Sequence, residues 1–165
     1  MRILIVGDVV GKPGRQAFKT YTAQLKSERD IDLVIVNGEN AAHGKGLTRP
    51  TFDELLQAGA NIVTSGNHIW DQKDVLNIID REPFLIRPAN YPEGVCGKGY
   101  GIYECKGKKI AVINLIGRTD MNVLSENPFL GAKEIIEEIN FPTIATNRVE
   151  SEGGSFKGSE KDRIA

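Results

Sequence analysis

The residues able to do chemistry gather at the ends of three short stretches: IVGD (residues 5–8), VNGEN (36–40) and SGNH (65–68). Each closes an apolar run with a glycine, and each follows that glycine at once with a carboxylate, a carboxamide or an imidazole. Hard oxygen donors suit Mg, Mn or Fe, and an imidazole widens the choice towards Fe and Zn. Two ions roughly 3.5 to 4 Å apart, bridged by a carboxylate, would clamp a phosphate and supply a hydroxide nucleophile for in-line attack. One of only two histidines in the chain stands at position 68. With an ordinary pKa near ~6.5, an imidazole can protonate a leaving alkoxide, and Asp71, one helical turn on, can orient the ring. Taken singly, each ending has an ordinary reading: an Asp after a strand caps a helix, and a loop histidine is structural. Three endings in consecutive units argue for one shared site containing Asp8, Glu39, Asn40, Asn67 and His68.

Such a site needs three strand ends on one edge, and the hydrophobic pattern supplies them. Arg2–Val6, Leu33–Val36 and Asn61–Ser65 are apolar runs of strand length, and the first reads as a strand buried on both faces of a parallel sheet. Between them, 15–27 and 50–58 carry apolar residues at helical spacing, the second capped by Thr48 and ended by Gly59. A third helix is predicted over Asp71–Ile79, and GIYEC, a KGKK turn and IAVINL read as a β-hairpin. The fold class is α/β, a layered sheet with right-handed crossovers, whose ligands lie at the carboxyl ends of its strands. Glu134–Ile139 reads as a short helix. Residues 140–165 are rich in Ser, Gly, Lys and Glu without either period, and are expected to be disordered.

Composition bounds the partners. The chain has 165 residues, enough for one domain with a real core, and its net charge of −1 gives no electrostatic footprint for nucleic acid or an anionic membrane. No run approaches the ~20 apolar residues of a membrane span, and the N-terminus lacks a secretory pattern, so a cytoplasmic location is expected. Cys96 and Cys105 lack metal-site spacing and read as reduced thiols. GDVVGK is not a phosphate-binding P-loop: three residues, not four, separate Gly7 from Gly11, and Pro13 follows Lys12. Backbone amides near Gly11 and Gly14 could still touch a phosphate. In RPANYPEG, Arg87 could hold a phosphate, and Asn90 or Tyr91 could line a base pocket; alternatively the segment is a proline-braced loop around a buried tyrosine. His43 is either substrate-facing or a solvated loop residue.

The combination GDVVGKPGR, VIVNGENAAHGKG, GNHIWD, RPANYP and GKGYG resembles the first half of a bacterial branch of the calcineurin-like metallophosphoesterases, which includes 2′,3′-cyclic-nucleotide phosphodiesterases. The resemblance covers residues 1–139 and implies an α/β/β/α sandwich. It also implies two divalent ions held by Asp8, Glu39, Asn40 and Asn67, with Glu39 bridging, and His68 as general acid acting on small phosphodiesters. Family members carry a second half with three further histidines, in Asp-Phe-His and Thr-His-Thr-His motifs. Nothing comparable follows Ile139 here. The expectation is therefore a truncated or frame-shifted chain with an open metal cage and exposed apolar sheet that favours self-association. A non-catalytic remnant that binds a nucleotide or a protein is the alternative.

Overall fold

A computed structural model describes residues 1–139. The tail expected to be disordered, 140–165, lies outside the described residues, as does the proposed domain boundary beyond 139.

Two βα units and a third strand come first: β1 (Ile3–Asp8), α1 (Gly11–Arg29), β2 (Leu33–Asn37), α2 (Arg49–Gln57) and β3 (Ile62–Thr64). They are followed by β4 (Leu85–Ile86), the hairpin strands β5 (Tyr100–Cys105) and β6 (Lys108–Ile113), and α3 (Pro128–Ile139). The first four strands form a parallel sheet in the order β1-β2-β3-β4; β5 and β6 pair antiparallel. The two-residue β4 was not anticipated, because Leu85 and Ile86 alone are too short a run to signal a strand.

Alternation along the strands divides the core in two. Val34, Val36, Val63 and Leu85 face Phe18 of α1 and Phe52 and Leu55 of α2. Their neighbours Leu33, Ile62 and Ile86 face the hairpin, against Val112, Tyr103 and Ile110. Complete burial of a side chain such as Phe52 or Leu55 contributes about 1.5–3 kcal/mol, so these contacts fix the helices on their side of the sheet. The α2 start is set locally: the Thr48 side chain accepts from the Thr51 N–H, and Thr51 answers with a bond from the Thr48 N–H. Gly59 adopts φ +107° just past the helix end, a conformation that glycine tolerates best.

Two expectations need correction. Only a 3₁₀ turn, Lys73–Asn77, stands where a helix over Asp71–Ile79 was predicted. Val75, Ile78 and Ile79 are all buried there, as one face of a helix would be, but the segment's β-branched, Asp and Asn residues have low helix propensity. Nor is β1 buried on both faces. The hairpin covers β2, β3 and β4 but does not reach the edge, leaving Ile3 38% and Ile5 74% exposed.

Asp32 ties the sheet to the hairpin turn. Its carboxylate accepts the Arg2 N–H at 2.8 Å and meets Lys106 Nζ at 2.5 Å. The Lys106 contact first, and the Arg2 N–H second, hold its pKa below the ordinary 3.8. A lowered folded-state pKa stabilises above the unfolded value and is lost as pH falls through the folded value. Because Lys106 is 66% exposed, screening keeps the contribution modest. Urea denaturation of the parent and Asp32→Asn should therefore show a stability gap at neutral pH that closes as pH drops below about 4.

Candidate functional site

The carboxyl ends of β1, β2 and β3 emerge side by side, and each leads into a loop that contacts another. The β1–β2 register slips between Val6 and Asp8, so Gly7 is passed over, and such a bulge re-aims the side chain that follows. Asp8 Oδ2 accepts from Asn40 Nδ2 at 2.7 Å, and the Gly11 N–H donates to the Asn40 carbonyl at 2.9 Å. The first and second loops are thereby joined by both side chain and backbone. The amide of Gly11 is spent on this bond and that of Gly14 on the Val10 carbonyl, so neither is the phosphate contact that sequence allowed.

Glu39 joins the second loop to the third. Its backbone N–H donates to Asn37 Oδ1 at 2.9 Å, and Asn37 Nδ2 donates back to Oε1 at 3.2 Å. This reciprocal clasp aims the carboxylate at Gly66. A Cβ added there would fall on Glu39 Oε2, so the close approach requires glycine. The third loop is itself held from beneath, where Asn114 Nδ2 donates to the Ser65 carbonyl at 2.7 Å. Asn67 and His68 follow Gly66 directly. Asn67 makes no side-chain hydrogen bond among the described residues, and His68 Nδ1 lies 2.8 Å from Asp71 Oδ2.

Glu39 Oε2 and Asn40 Oδ1 are buried without a hydrogen-bond partner among the described residues. An unsatisfied buried polar atom costs about 1–3 kcal/mol, and a charged one more. One of these oxygens belongs to the side chain that bonds Asp8 and the other lies against Gly66, and oxygens of this kind are donors that a hard divalent cation satisfies. Asp8, Glu39, Asn40 and Asn67 thus fit the group in kind. Among the described residues no three His, Cys, Asp or Glu side chains come together as a metal cluster, here or elsewhere, so the fit rests on carboxamide oxygens as well as carboxylates.

The four residues considered for substrate differ from that picture. Arg87 donates to the carbonyls of Pro88, Val95 and Cys96, so its guanidinium braces its own loop instead of facing a phosphate. Asn90, 3% exposed, donates to the Ile116 and Glu126 carbonyls and accepts the Ile116 N–H. It is a buried loop clasp, not a base contact. Tyr91 is buried too, with its hydroxyl 3.3 Å from the Gly66 carbonyl. Burial first, and the nearby Glu39 charge second, push its pKa up, so a neutral phenol supports the seat of Glu39. His43 is exposed at φ +54°, in the loop after Asn40, and makes no side-chain hydrogen bond among the described residues. Sequence reasoning missed Asn37 as a positioning residue, and it read Gly66 as a strand-end turn without the room that it leaves for Glu39. The Asn-x-Glu spacing was the available signal for Asn37, since an Asn side chain commonly bonds the backbone two residues on.

The family pattern described as "YmdB-like protein" matches residues 4–153. This chain belongs to that family. Over 138 residues it is 52% identical to a 2′,3′-cyclic-nucleotide 2′-phosphodiesterase of Bacillus subtilis, a match covering 84% of this chain and 52% of that protein. The crystal structure of a phosphatase from Mycoplasma pneumoniae superposes with a TM-score of 0.77 at 40% identity, covering 82% of this chain and 50% of that one. The family is one of phosphoesterases with a metallophosphoesterase-type α/β fold. The chain spans about half the length of these relatives. A separate short similarity, 75% over 40 residues, links it to a 3-dehydroquinate dehydratase of Methanobrevibacter smithii, covering 24% of this chain and 18% of that enzyme.

Gly66 gives a test that removes no donor atom. Gly66→Ala should displace the Glu39 carboxylate and weaken Mn²⁺ binding by about tenfold or more in calorimetric titration, the usual scale for disturbing a ligand's support. Gly117→Ala, where an added Cβ meets nothing within 4 Å, should leave it unchanged.

Proposed function

We propose that this chain carries the substrate-acid half of a divalent-metal phosphodiesterase site acting on small phosphodiesters, 2′,3′-cyclic nucleotides being the best candidates. The observation that carries this reading is the pair of buried, unpartnered oxygens of Glu39 and Asn40, set between Asp8 on one side and the His68 loop on the other. The phosphodiesterase similarity supports the substrate class.

Asp8, Glu39, Asn40 and Asn67 are the residues that would hold Mn, Fe or Mg ions. When bound, such ions supply Lewis acidity at the phosphoryl group and a water-derived nucleophile. The chain's own part is proton handling and positioning. Asp71 engages Nδ1 of His68, which favours a proton on that nitrogen and leaves Nε2 for the substrate side. A protonated Nε2 donates to the leaving alkoxide and, while cationic, also offsets phosphoryl charge. The donor set of two carboxylates and two carboxamides leaves coordination positions to water, which lowers affinity relative to a closed cage.

The non-catalytic alternative, a remnant binding a nucleotide or a protein, gains nothing from the His68–Asp71 pair, which a binding module has no reason to orient. The two readings separate in one assay. With millimolar Mn²⁺ and 2′,3′-cyclic AMP or a chromogenic phosphodiester, the chain should hydrolyse substrate, and chelation should abolish the rate. His68→Ala should lower turnover by about 10²–10⁴-fold while leaving Mn²⁺ binding in place, whereas Asp8→Ala should lose both. Binding of nucleotide with no turnover at any metal concentration would favour the remnant.

A further inference from the structure

We propose that Arg15 is a positioning residue for the cation site: its guanidinium fixes the peptide that follows Asn40, and through it the direction of the Asn40 carboxamide. The inference rests on the reading of Asp8, Glu39, Asn40 and Asn67 as cation donors. The stretch GKPGR, residues 11–15, opens α1 and supplies none of those donors. Gly11 and Arg15 stand four residues apart, so they share one face of the helix. That face meets two consecutive carbonyls of the second loop. The Gly11 N–H donates to the Asn40 carbonyl at 2.9 Å, and Arg15 Nη1 donates to the Ala41 carbonyl.

Those bonds hold a short turn. The Ala41 N–H closes back on the Gly38 carbonyl at 3.0 Å, which makes Glu39 and Asn40 the two central residues. Any shift of the peptide after Asn40 is therefore passed to its carboxamide, whose Nδ2 reaches Asp8 at 2.7 Å and whose Oδ1 is buried and unpartnered among the described residues. Asp8 and the Gly11 amide hold Asn40 itself. Arg15 holds the far end of the turn, at Ala41, which is fully buried.

The guanidinium is anchored in its turn by α2, where Arg15 Nε donates to Glu54 Oε2. The Arg15 side chain is 15% exposed there. A planar fork with fixed N–H directions addresses a carboxylate and a carbonyl together, which an ammonium on a flexible stem does not reproduce. The Glu54 pair alone would join the two helices; the Ala41 bond connects that pair to the site. Charge gives the role a distinctive sign. A cation one residue beyond a metal donor opposes loading, so by charge alone the loss of Arg15 would tighten Mn²⁺ binding. Positioning predicts the reverse.

Two readouts on the full chain test this. Without metal, amide hydrogen exchange in Arg15→Ala should speed up about tenfold at Gly11 and Ala41, while Val63, bonded within the sheet to the Phe84 carbonyl, keeps the parent rate. In calorimetric titration, Arg15→Ala should bind Mn²⁺ about tenfold more weakly than the parent, with an unchanged circular dichroism spectrum. Arg15→Lys keeps the charge and a partner for Glu54; it should unfold in urea as the parent does and still bind Mn²⁺ more weakly. Parent-like or tighter Mn²⁺ binding by either folded variant, parent-like exchange at Gly11 and Ala41, or faster exchange that extends to Val63 would each overturn the proposal. A parent that binds no Mn²⁺ would instead overturn the cation reading, and the role of Arg15 in loading with it.

Discussion

A carboxylate lying where a side chain would otherwise be is the contact on which this site depends. Glu39 can reach the third loop only because Gly66 has no Cβ. The reach is maintained by Asn37, which holds Glu39 at both its backbone N–H and its Oε1. Without that clasp, an anionic side chain would turn outward to water, because desolvating it without a partner is costly. The arrangement therefore stores an electrostatic demand: Oε2 of Glu39 and Oδ1 of Asn40 are buried and unpartnered among the described residues. Under the proposed function a cation is what would meet that demand, which would connect a single absent methyl group to metal chemistry.

The same sheet is finished on one side and unfinished on the other. Helices α1 and α2 close the face built on Val34, Val36 and Val63, while the hairpin closes only the part of the opposite face that holds Leu33, Ile62 and Ile86. Ile5 at the edge is left in solvent. Site and edge are two consequences of one strand. The carboxyl end of β1 brings Asp8 to Asn40 of the second loop, and among the described residues its outer side pairs with no strand.

Much of this was legible because periodicity and glycine placement are local signals. The β-α-β-α-β order, the Thr48 cap, the Gly59 stop and the hairpin all follow from residues within a turn of one another. So did the meeting of Asp8 with Asn40, since parallel strands must end on one edge. What failed depends on distant partners. Arg87, Asn90 and Tyr91 have the donors and rings of a binding loop, but they are consumed by carbonyls at Val95, Ile116 and Gly66, contacts that no spacing encodes. The stretch Asp71–Ile79 puts Val75, Ile78 and Ile79 at helical spacing and all three reach the core, but its Asp, Asn and β-branched residues have low helix propensity and only a 3₁₀ turn forms. The apolar run of β1 reads as doubly buried because sequence records hydrophobicity and not what covers it.

The central claim, that three strand-end loops share one metal-binding site, is tested most directly by titrating paramagnetic Mn²⁺ into isotopically labelled protein and following amide line broadening. The account predicts that amides of Gly7 to Val9, Gly38 to Asn40 and Gly66 to His68 broaden together at the lowest metal concentrations, with those of Asn61 and Phe84 at the far end of the sheet unaffected. Broadening confined to one loop, or centred on exposed carboxylates elsewhere, would contradict it.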